Sequence, residues 1–588
     1  MQEQKGRLKT ARALLASFNF AGLVEISEHT SAGRGLILAG SEPSKSDELL
    51  LRVPSTSLLN VRTAKRWLHT SLLPSKQSPS HPYNNATIGE SPQSPQSGCK
   101  EIQADTLSGK EQGEAHVPLP LSSHQALALL LAIWKSAQRQ PAQNGSHEQT
   151  GEGPLPSAST LVDGASPAFL DAFLGTAPAS YDTHPVSYSS EPSAGFVPSI
   201  LAKCLPSHAS ELVQRVRSRF HRDWSVIESL QRRHPEMLIP LEAISEALTS
   251  TKKASLPQPS ITVTKEHFKW GWLCVNTRCL HLPQGLTPHA DNLTLAPILD
   301  LANHKPSSSS DVGACNVRHT PSSGLELHAP SRRGALRSGD EVTFCYGAHA
   351  AQMLFAEYGF VLPRQRSPSM ESSPVQQWNG CPFAEVRLDD EIIRLFKEQG
   401  EEGIAKESLL QARGYWLDYT IHPDPFPPHA SHRLICALRL LHVPLSSTSV
   451  HEHSDQNNLV RTYPITSAPS INRSAGHTNA ELQGWEATLL GLRHHVSDEN
   501  EERAHGTLMK LCQDVMDDRT SRLSLLHSML QNRHSESLIE ASEPVQEASA
   551  QDTDSIIDMV RTMLIDDFDI AQSVLTITRA GGIESEWS

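Results

Sequence analysis

Three short islands in this 588-residue sequence bring together residue types that could do chemistry. The last reads Ser338-Gly339-Asp340-Glu341-Val342-Thr343-Phe344-Cys345-Tyr346-Gly347 and continues as Leu354-Phe355-Ala356-Glu357-Tyr358-Gly359-Phe360, so a Tyr-Gly pair recurs. A phenol with a pKa of about 10 is a poor free base. Tyr346 therefore suits orientation and electrostatic support before proton acceptance. The middle island runs from Phe268 to Arg278 and resumes as Leu295-Ala296-Pro297-Ile298-Leu299-Asp300-Leu301-Ala302-Asn303-His304. Its Asn-His pair can hydrogen-bond a ligand or simply close a turn with satisfied amides. The first island, Ala32-Gly33-Arg34-Gly35-Leu36, reads as a hairpin turn needing positive φ or as a place where backbone must come close to something.

Other constellations lead nowhere. Asp300 is expected to brace the turn carrying Asn303, and Glu341 to face out of a strand; neither is read as catalytic. Arg278 suits either an ordinary salt bridge or bidentate pairing with a carboxylate. Tyr358 suits either a core aromatic ahead of Gly359 or the wall of a channel. The pairs His429/His432, His451/His453 and His494/His495 lack a Cys or carboxylate frame and read as surface histidines. No G-x-G-x-x-G follows a strand, and G-x-x-x-x-G-K-[ST], H-E-x-x-H and G-x-S-x-G are absent. The nine Cys form no C-x-x-C pair, so neither a zinc site nor a disulfide framework is indicated.

The elements that must position these islands are legible in part. Residues 8–20 carry apolar residues at helical spacing, and LVEIS, GLILA and LLLRVP between Gly22 and Asn60 read as strands punctuated by Gly and Pro. The stretch 73–119 is Ser/Pro-rich, with almost nothing apolar to offset the entropy of ordering it, and reads as a disordered insertion. Ser123 then caps HQALALLLAIWKSA, apolar nearly all round and so expected inside a helical layer. After a polar tract at about 138–160, helical patterns return through 250. LELHAP and EVTFCYG are strand-like, and past the linker RQRSPSMESSP the patterns are helical again, broken by a polar loop near 444–478.

Bulk properties narrow the function classes. The length exceeds one hydrophobic core, which stops growing near roughly 250–300 residues. A formal net charge of -14 argues against nonspecific duplex binding, which needs cations to neutralise phosphate. The longest apolar run, Ala126 to Trp134, is far below the roughly 18–20 residues that span a bilayer. A cytoplasmic protein with reduced thiols is expected, with the nucleus as a second location.

Taken together, the islands resemble a SET domain of the Rubisco large-subunit and ribosomal-protein lysine methyltransferase class. That resemblance implies an α+β fold: a SET β-fold with a helical insertion, followed by an all-α substrate-binding domain. The parts would be 1–72 and 266–365 for the two SET pieces, 73–119 for the disordered insertion, 120–265 for the helical insertion and 375–588 for the substrate-binding domain. It also implies S-adenosyl-L-methionine as cofactor, no metal, and a protein-lysine N-methyltransferase acting on a non-histone protein such as a ribosomal protein or translation elongation factor. Protein-histidine methylation on the same scaffold, or a catalytically weak interaction protein, is the alternative. A monomer without nucleic-acid or membrane partners is expected.

By the same resemblance, Gly33, Arg34, Gly35, Arg278, Asn303, His304 and Tyr346 would bind the cofactor. Tyr346 would be catalytic and Tyr358 would wall the substrate channel. The chemistry needs such residues because methyl transfer is an in-line displacement that holds amine, methyl and sulfur collinear. The lysine must arrive neutral although its free pKa is about 10.4, and an apolar aromatic channel disfavours the ammonium. The sequence departs from the family at Ala350-Ala351, where a Ser-Asn pair is common, and near Cys315, where a further channel aromatic is often found.

Overall fold

The computed structural model describes residues 11–68, 120–137, 170–235, 263–363, 378–445, 480–537 and 550–580, apart from short gaps. The disordered insertion expected at 73–119, the polar tract at about 138–160 and the polar loop near 444–478 lie almost wholly outside them.

The strand patterns near the start form where they were read: β1 (Val24–Thr30), β2 (Gly33–Leu38) and β3 (Leu49–Val53). In β1, Val24 and Ile26 are buried and Glu25 is exposed, the period-two signature of a half-buried strand. Six more strands follow: β4 (Leu59–Asn60), β5 (Cys279–His281), β6 (Leu293–Leu295), β7 (Asn316–Thr320), β8 (Gly324–His328) and β9 (Glu341–Val342). They make three antiparallel three-stranded sheets, β1-β2-β9, β3-β8-β7 and β4-β6-β5. Each sheet therefore joins chain from before residue 61 to chain from after residue 278. Leu36, Leu51, Ile298, Leu327 and Val342 close a shared core among them. EVTFCYG is strand for only two residues; beyond Val342 the chain bends, and Phe344 makes single parallel bridges to His304 and Cys315.

Between the halves lies a helical layer. Helix α1 (Ser123–Ala137) is buried continuously from Ala126 to Ile133, as its all-round apolarity requires. Helix α2 (Ser207–Arg233) buries Leu212, Val216, Phe220, Ile227 and Leu230, exposes Arg215, Arg222, Arg232 and Arg233, and leaves Arg217 and Arg219 half-buried. Its one buried acid, Asp223, accepts from Gln125 Nε2 at 2.9 Å and Trp272 Nε1 at 2.8 Å. Helix α3 (Lys265–Arg278) lies so close to α1 that a Cβ on Gly271 would sit 2.5 Å from the Ala128 carbonyl oxygen. Helix α4 (Ala351–Tyr358) packs Ala351, Phe355 and Ala356 on this second core.

The C-terminal region builds a third core from helices α5 (Asp389–Glu398), α6 (Glu401–Arg413), α7 (His432–Leu441), α8 (Ala480–Leu489), α9 (Asp498–Ser537) and α10 (Ala550–Arg579). The expectation that it is all-α is corrected. Strands β10 (Val386–Arg387), β11 (Thr420–His422) and β12 (His429–Ala430) form a further antiparallel sheet. Two- and three-residue strands carry too few alternations to show in a hydrophobic pattern. Helix α10 joins two cores: Ile556, Val560, Met563 and Leu564 pack with the helical layer, and Ile570, Ala571, Val574 and Leu575 with the third core.

Candidate active site

The site grows from the β1-β2 hairpin. Gly33 has φ +93, a conformation L side chains rarely adopt, and a Cβ there would meet nothing within 4 Å. Gly35 is required by proximity: a Cβ on it would lie 2.7 Å from Asn303 Nδ2 and 2.8 Å from Thr30 Cγ2. That amide nitrogen donates to the Arg34 carbonyl oxygen at 3.3 Å, to Thr30 Oγ1 at 3.1 Å and to Glu341 Oε1 at 2.7 Å. One side chain thus ties β1, β2 and β9 to the Asn-His turn. Glu341, expected to face out of its strand, instead anchors Asn303. The Arg34 guanidinium points away, pairing with Glu28 at 3.0 Å and donating to the Gly175 carbonyl oxygen at 3.0 Å; what Arg34 gives this cluster is its backbone.

Asn303 and His304 come after a strained turn. Ile298, β-branched and fully buried, has φ 72 and ψ -50, a conformation that costs on the order of 1–3 kcal/mol and persists only where surroundings enforce it. Arg278 supplies part of that enforcement: Nη1 reaches Asp300 Oδ2 at 2.8 Å and the Asp300 carbonyl oxygen at 3.1 Å. Burial works against the guanidinium charge, and the adjacent Asp300 carboxylate outweighs it, raising the Arg278 pKa above its ordinary value. Of the two readings of Arg278, the structure displays the salt bridge. Asp300 braces the turn, as expected.

His304 and Tyr346 are coupled directly. The Tyr346 backbone N–H donates to His304 Nδ1 at 3.1 Å, so the proton of the neutral ring is on Nε2. That Nε2 is buried and has no partner among the described residues. Burial, reinforced by nearby His349, pushes the His304 pKa down to about 4. The Tyr346 hydroxyl donates to the Ala302 carbonyl oxygen at 2.9 Å, and burial raises its pKa far above the ordinary phenol value. Tyr346 is therefore a protonated donor, not a resident base.

Around it stands an aromatic cluster. Ring centroids lie 4.9 Å apart for Phe344 and Tyr346, 5.1 Å for His304 and Tyr346, and 5.5 Å for Tyr346 and Tyr358. Tyr358 also faces Phe360 at 6.1 Å and His349 at 5.9 Å. Tyr358 and Tyr346 thus share one aromatic cluster. Phe344, Phe360 and His349 were not singled out from sequence, although Phe344 shares a face with Tyr346 by alternation and Phe360 ends the third island. His349 Nε2, like that of His304, is buried without a partner among the described residues, and burial lowers its pKa.

The departures have structural counterparts. Helix α4 starts at Ala350 with no side-chain cap, which a Ser or Asn would have provided. Cys315 is buried against Phe344 and donates its N–H to the Thr343 carbonyl oxygen at 2.8 Å, whereas Asn316 turns to Ser331. Among the described residues no group of His, Cys, Asp and Glu could hold a metal, and no helix is long and apolar enough to cross a membrane.

No family model matches the chain. Sequence relatives do. Ribosomal lysine N-methyltransferase set11 of Schizosaccharomyces pombe is 32% identical over 203 residues, covering 34% of this chain and 44% of that protein. SET domain-containing protein 4 of Mus musculus is 27% identical over 282 residues, 47% of this chain and 50% of that one. Ribosomal lysine N-methyltransferase 2 of Saccharomyces cerevisiae is 25% identical over 256 residues, 40% and 45% respectively. The chain thus spans about half the length of the curated relatives it matches. Among solved structures, the SET domain of LSMT bound to lysine and AdoHcy is similar at 13% identity with a TM-score of 0.42. Rubisco LSMT bound to sinefungin and monomethyllysine is similar at 12% and 0.45; both comparisons cover 99% of this chain and 93% of that one. In sequence the chain is similar to SET-domain proteins, ribosomal lysine N-methyltransferases among them.

Proposed function

We propose that this protein is an S-adenosyl-L-methionine-dependent protein-lysine N-methyltransferase. The observation that carries the reading is convergence: Gly35 and Asn303 are in contact, and His304 is bonded to Tyr346, although these residues come from opposite ends of the SET sequence. The residues fit the cofactor in two respects. Open space over Gly33 lets backbone be approached closely, and the partnerless His304 Nε2–H is a buried donor that needs an acceptor. Gly33, Gly35, the backbone of Arg34, Asn303 and His304 would hold it. When bound, it supplies an electrophilic methyl group on a sulfonium.

The rest of the chemistry belongs to the chain. Tyr346, Tyr358, Phe360 and Phe344 form the wall from which an acceptor amine is reached, and their apolar faces disfavour its ammonium form. Tyr346 keeps its proton and is fixed by the Ala302 carbonyl, so its part is to orient. His304, uncharged, adds no cation beside a group that must be neutral to react. Arg278 and Asp300 hold the turn behind them.

The substrate class we infer is a cytoplasmic non-histone protein of the translation machinery, such as a ribosomal protein or elongation factor. Two relatives are described as ribosomal lysine N-methyltransferases. The C-terminal helices with their small sheet would form the surface that recognises it. Tritiated S-adenosylmethionine, applied in parallel to ribosomal proteins, cytosolic extract and purified nucleosomes, tests the reading. Labelled lysine in a ribosomal or cytosolic protein is expected; label on histidine, or on histones alone, would overturn it.

A further inference from the structure

The tip of α4 is gripped from outside the SET strands. Arg219 Nη2 of α2 meets Glu357 Oε2 at 2.5 Å, in a pair whose side chains are 23% and 11% exposed. Asn276 Nδ2 of α3 donates both to Glu357 Oε2 at 3.1 Å and to the Glu357 carbonyl oxygen at 2.8 Å. His184 completes the grip. Its Nδ1 accepts from Val186 N at 3.2 Å, so its Nε2–H is the donor to the Glu357 carbonyl oxygen at 3.2 Å. The same ring presses on Gly359, φ +79, where a Cβ would lie 2.9 Å from His184 Cδ2.

Tyr358 is the residue between these two fixed neighbours. Its own ring contacts are with Tyr346, His349 and Phe360, so nothing in the aromatic cluster alone sets the height and tilt of the helix end that carries it. A charge-assisted bond in a part-buried setting is among the stronger and more directional contacts available for that purpose. We infer that Arg219 and His184 of the helical insertion, together with the neighbouring Asn276, are positioning residues of the acceptor channel: they set the place of Tyr358 opposite Tyr346 by holding Glu357 and Gly359. A functional reason for the insertion follows, since it contributes no aromatic ring to the described cluster around Tyr346. The inference rests on the methyltransferase reading for its effect on turnover, and on geometry alone for its effect on α4.

The test uses the full chain and three variants: Arg219→Gln, the conservative Arg219→Lys, and Arg215→Gln as a control on the same helix, where Arg215 pairs with Glu211 in an exposed contact. Two quantities are read: amide hydrogen exchange of the peptide covering 351–360, and turnover with tritiated S-adenosylmethionine on acid-extracted ribosomal proteins. Arg219→Gln is expected to speed exchange in that peptide and to lower kcat about tenfold with little change in cofactor affinity. Arg219→Lys should recover part of both, and Arg215→Gln should match the wild type. Unchanged exchange in Arg219→Gln, or faster exchange with unchanged kcat, would overturn the proposal. A wild-type protein that transfers no methyl would sink the function reading instead, and the exchange arm would still decide whether the insertion holds Tyr358. Should Arg219→Gln fail to fold, Glu357→Gln, which keeps the side-chain shape, carries the same two readouts.

Discussion

Around the third core, the buried cations Lys406 and Arg439 have close polar partners, whereas beside Tyr346 two buried ring nitrogens have none among the described residues. Lys406 Nζ has Glu402, Gln399 Oε1 and the Leu441 carbonyl oxygen each at 2.8 Å, one for each of its protons. Arg439 grips both oxygens of Glu501, at 2.9 and 2.6 Å. His304 and His349, by contrast, each keep a buried Nε2 without a partner among the described residues. An unmade buried hydrogen bond costs about 1–3 kcal/mol; the third-core region bears that cost at the scattered Arg387 Nε and Asn500 Oδ1, whereas beside Tyr346 it falls on two ring nitrogens that border one aromatic cluster. Left-handed backbone at non-glycine residues occurs in both regions, at Ile298 ahead of the Asn-His turn and at Leu417 and Asp418 beside the third core.

Four experiments would break or sharpen the contrast. Arg439→Leu removes one half of a buried pair and leaves Glu501 without its partner, which should lower unfolding free energy by about 3–5 kcal/mol in a urea titration. Cofactor affinity of the folded fraction should not change; a loss there would show that the two regions are not separable. Acid should act next. His304 has its folded pKa depressed to about 4, as do His124 and His184, each chiefly by burial. Below the ordinary value of about 6.5, the unfolded chain takes up protons that the folded rings refuse. Stability is therefore complete above that pH and falls on the way down to about 4, by on the order of 2–3 kcal/mol for each such ring. His304→Gln should flatten part of that slope in unfolding curves taken at pH 7 and 4.5.

Smaller effects are expected in the site itself. Gly35→Ala places a methyl against the Asn303 amide and Thr30, costing about 1–3 kcal/mol of stability and weakening cofactor binding about tenfold by calorimetry. Retained affinity would mean that the hairpin is not part of the cofactor site. Tyr346→Phe keeps the ring and removes the bond to Ala302. Turnover should drop about tenfold, or about 1.4 kcal/mol of barrier, with cofactor affinity kept; wild-type turnover would end its assignment.

Much of the molecule was readable in one dimension. The alternation in Val24–Thr30, the all-round apolarity of Ser123–Ala137 and the amphipathic Ser207–Arg233 are local patterns, and local patterns become local structure. The islands likewise announced Gly35, Asn303, His304, Tyr346 and Tyr358, because motif order survives intervening insertions. Composition and spacing could not say which partner each side chain takes. Arg278 and Arg34 were equally available to a ligand carboxylate or to protein acids, and the fold alone gave them Asp300 and Glu28. The pairing of β10 with β11, and the grip of Arg219 on Glu357 across 138 positions, are contacts for which a sequence carries no period. Hydrophobic pattern is a property of neighbours along the chain, while the pairing of polar groups depends on which surfaces meet once the cores have closed.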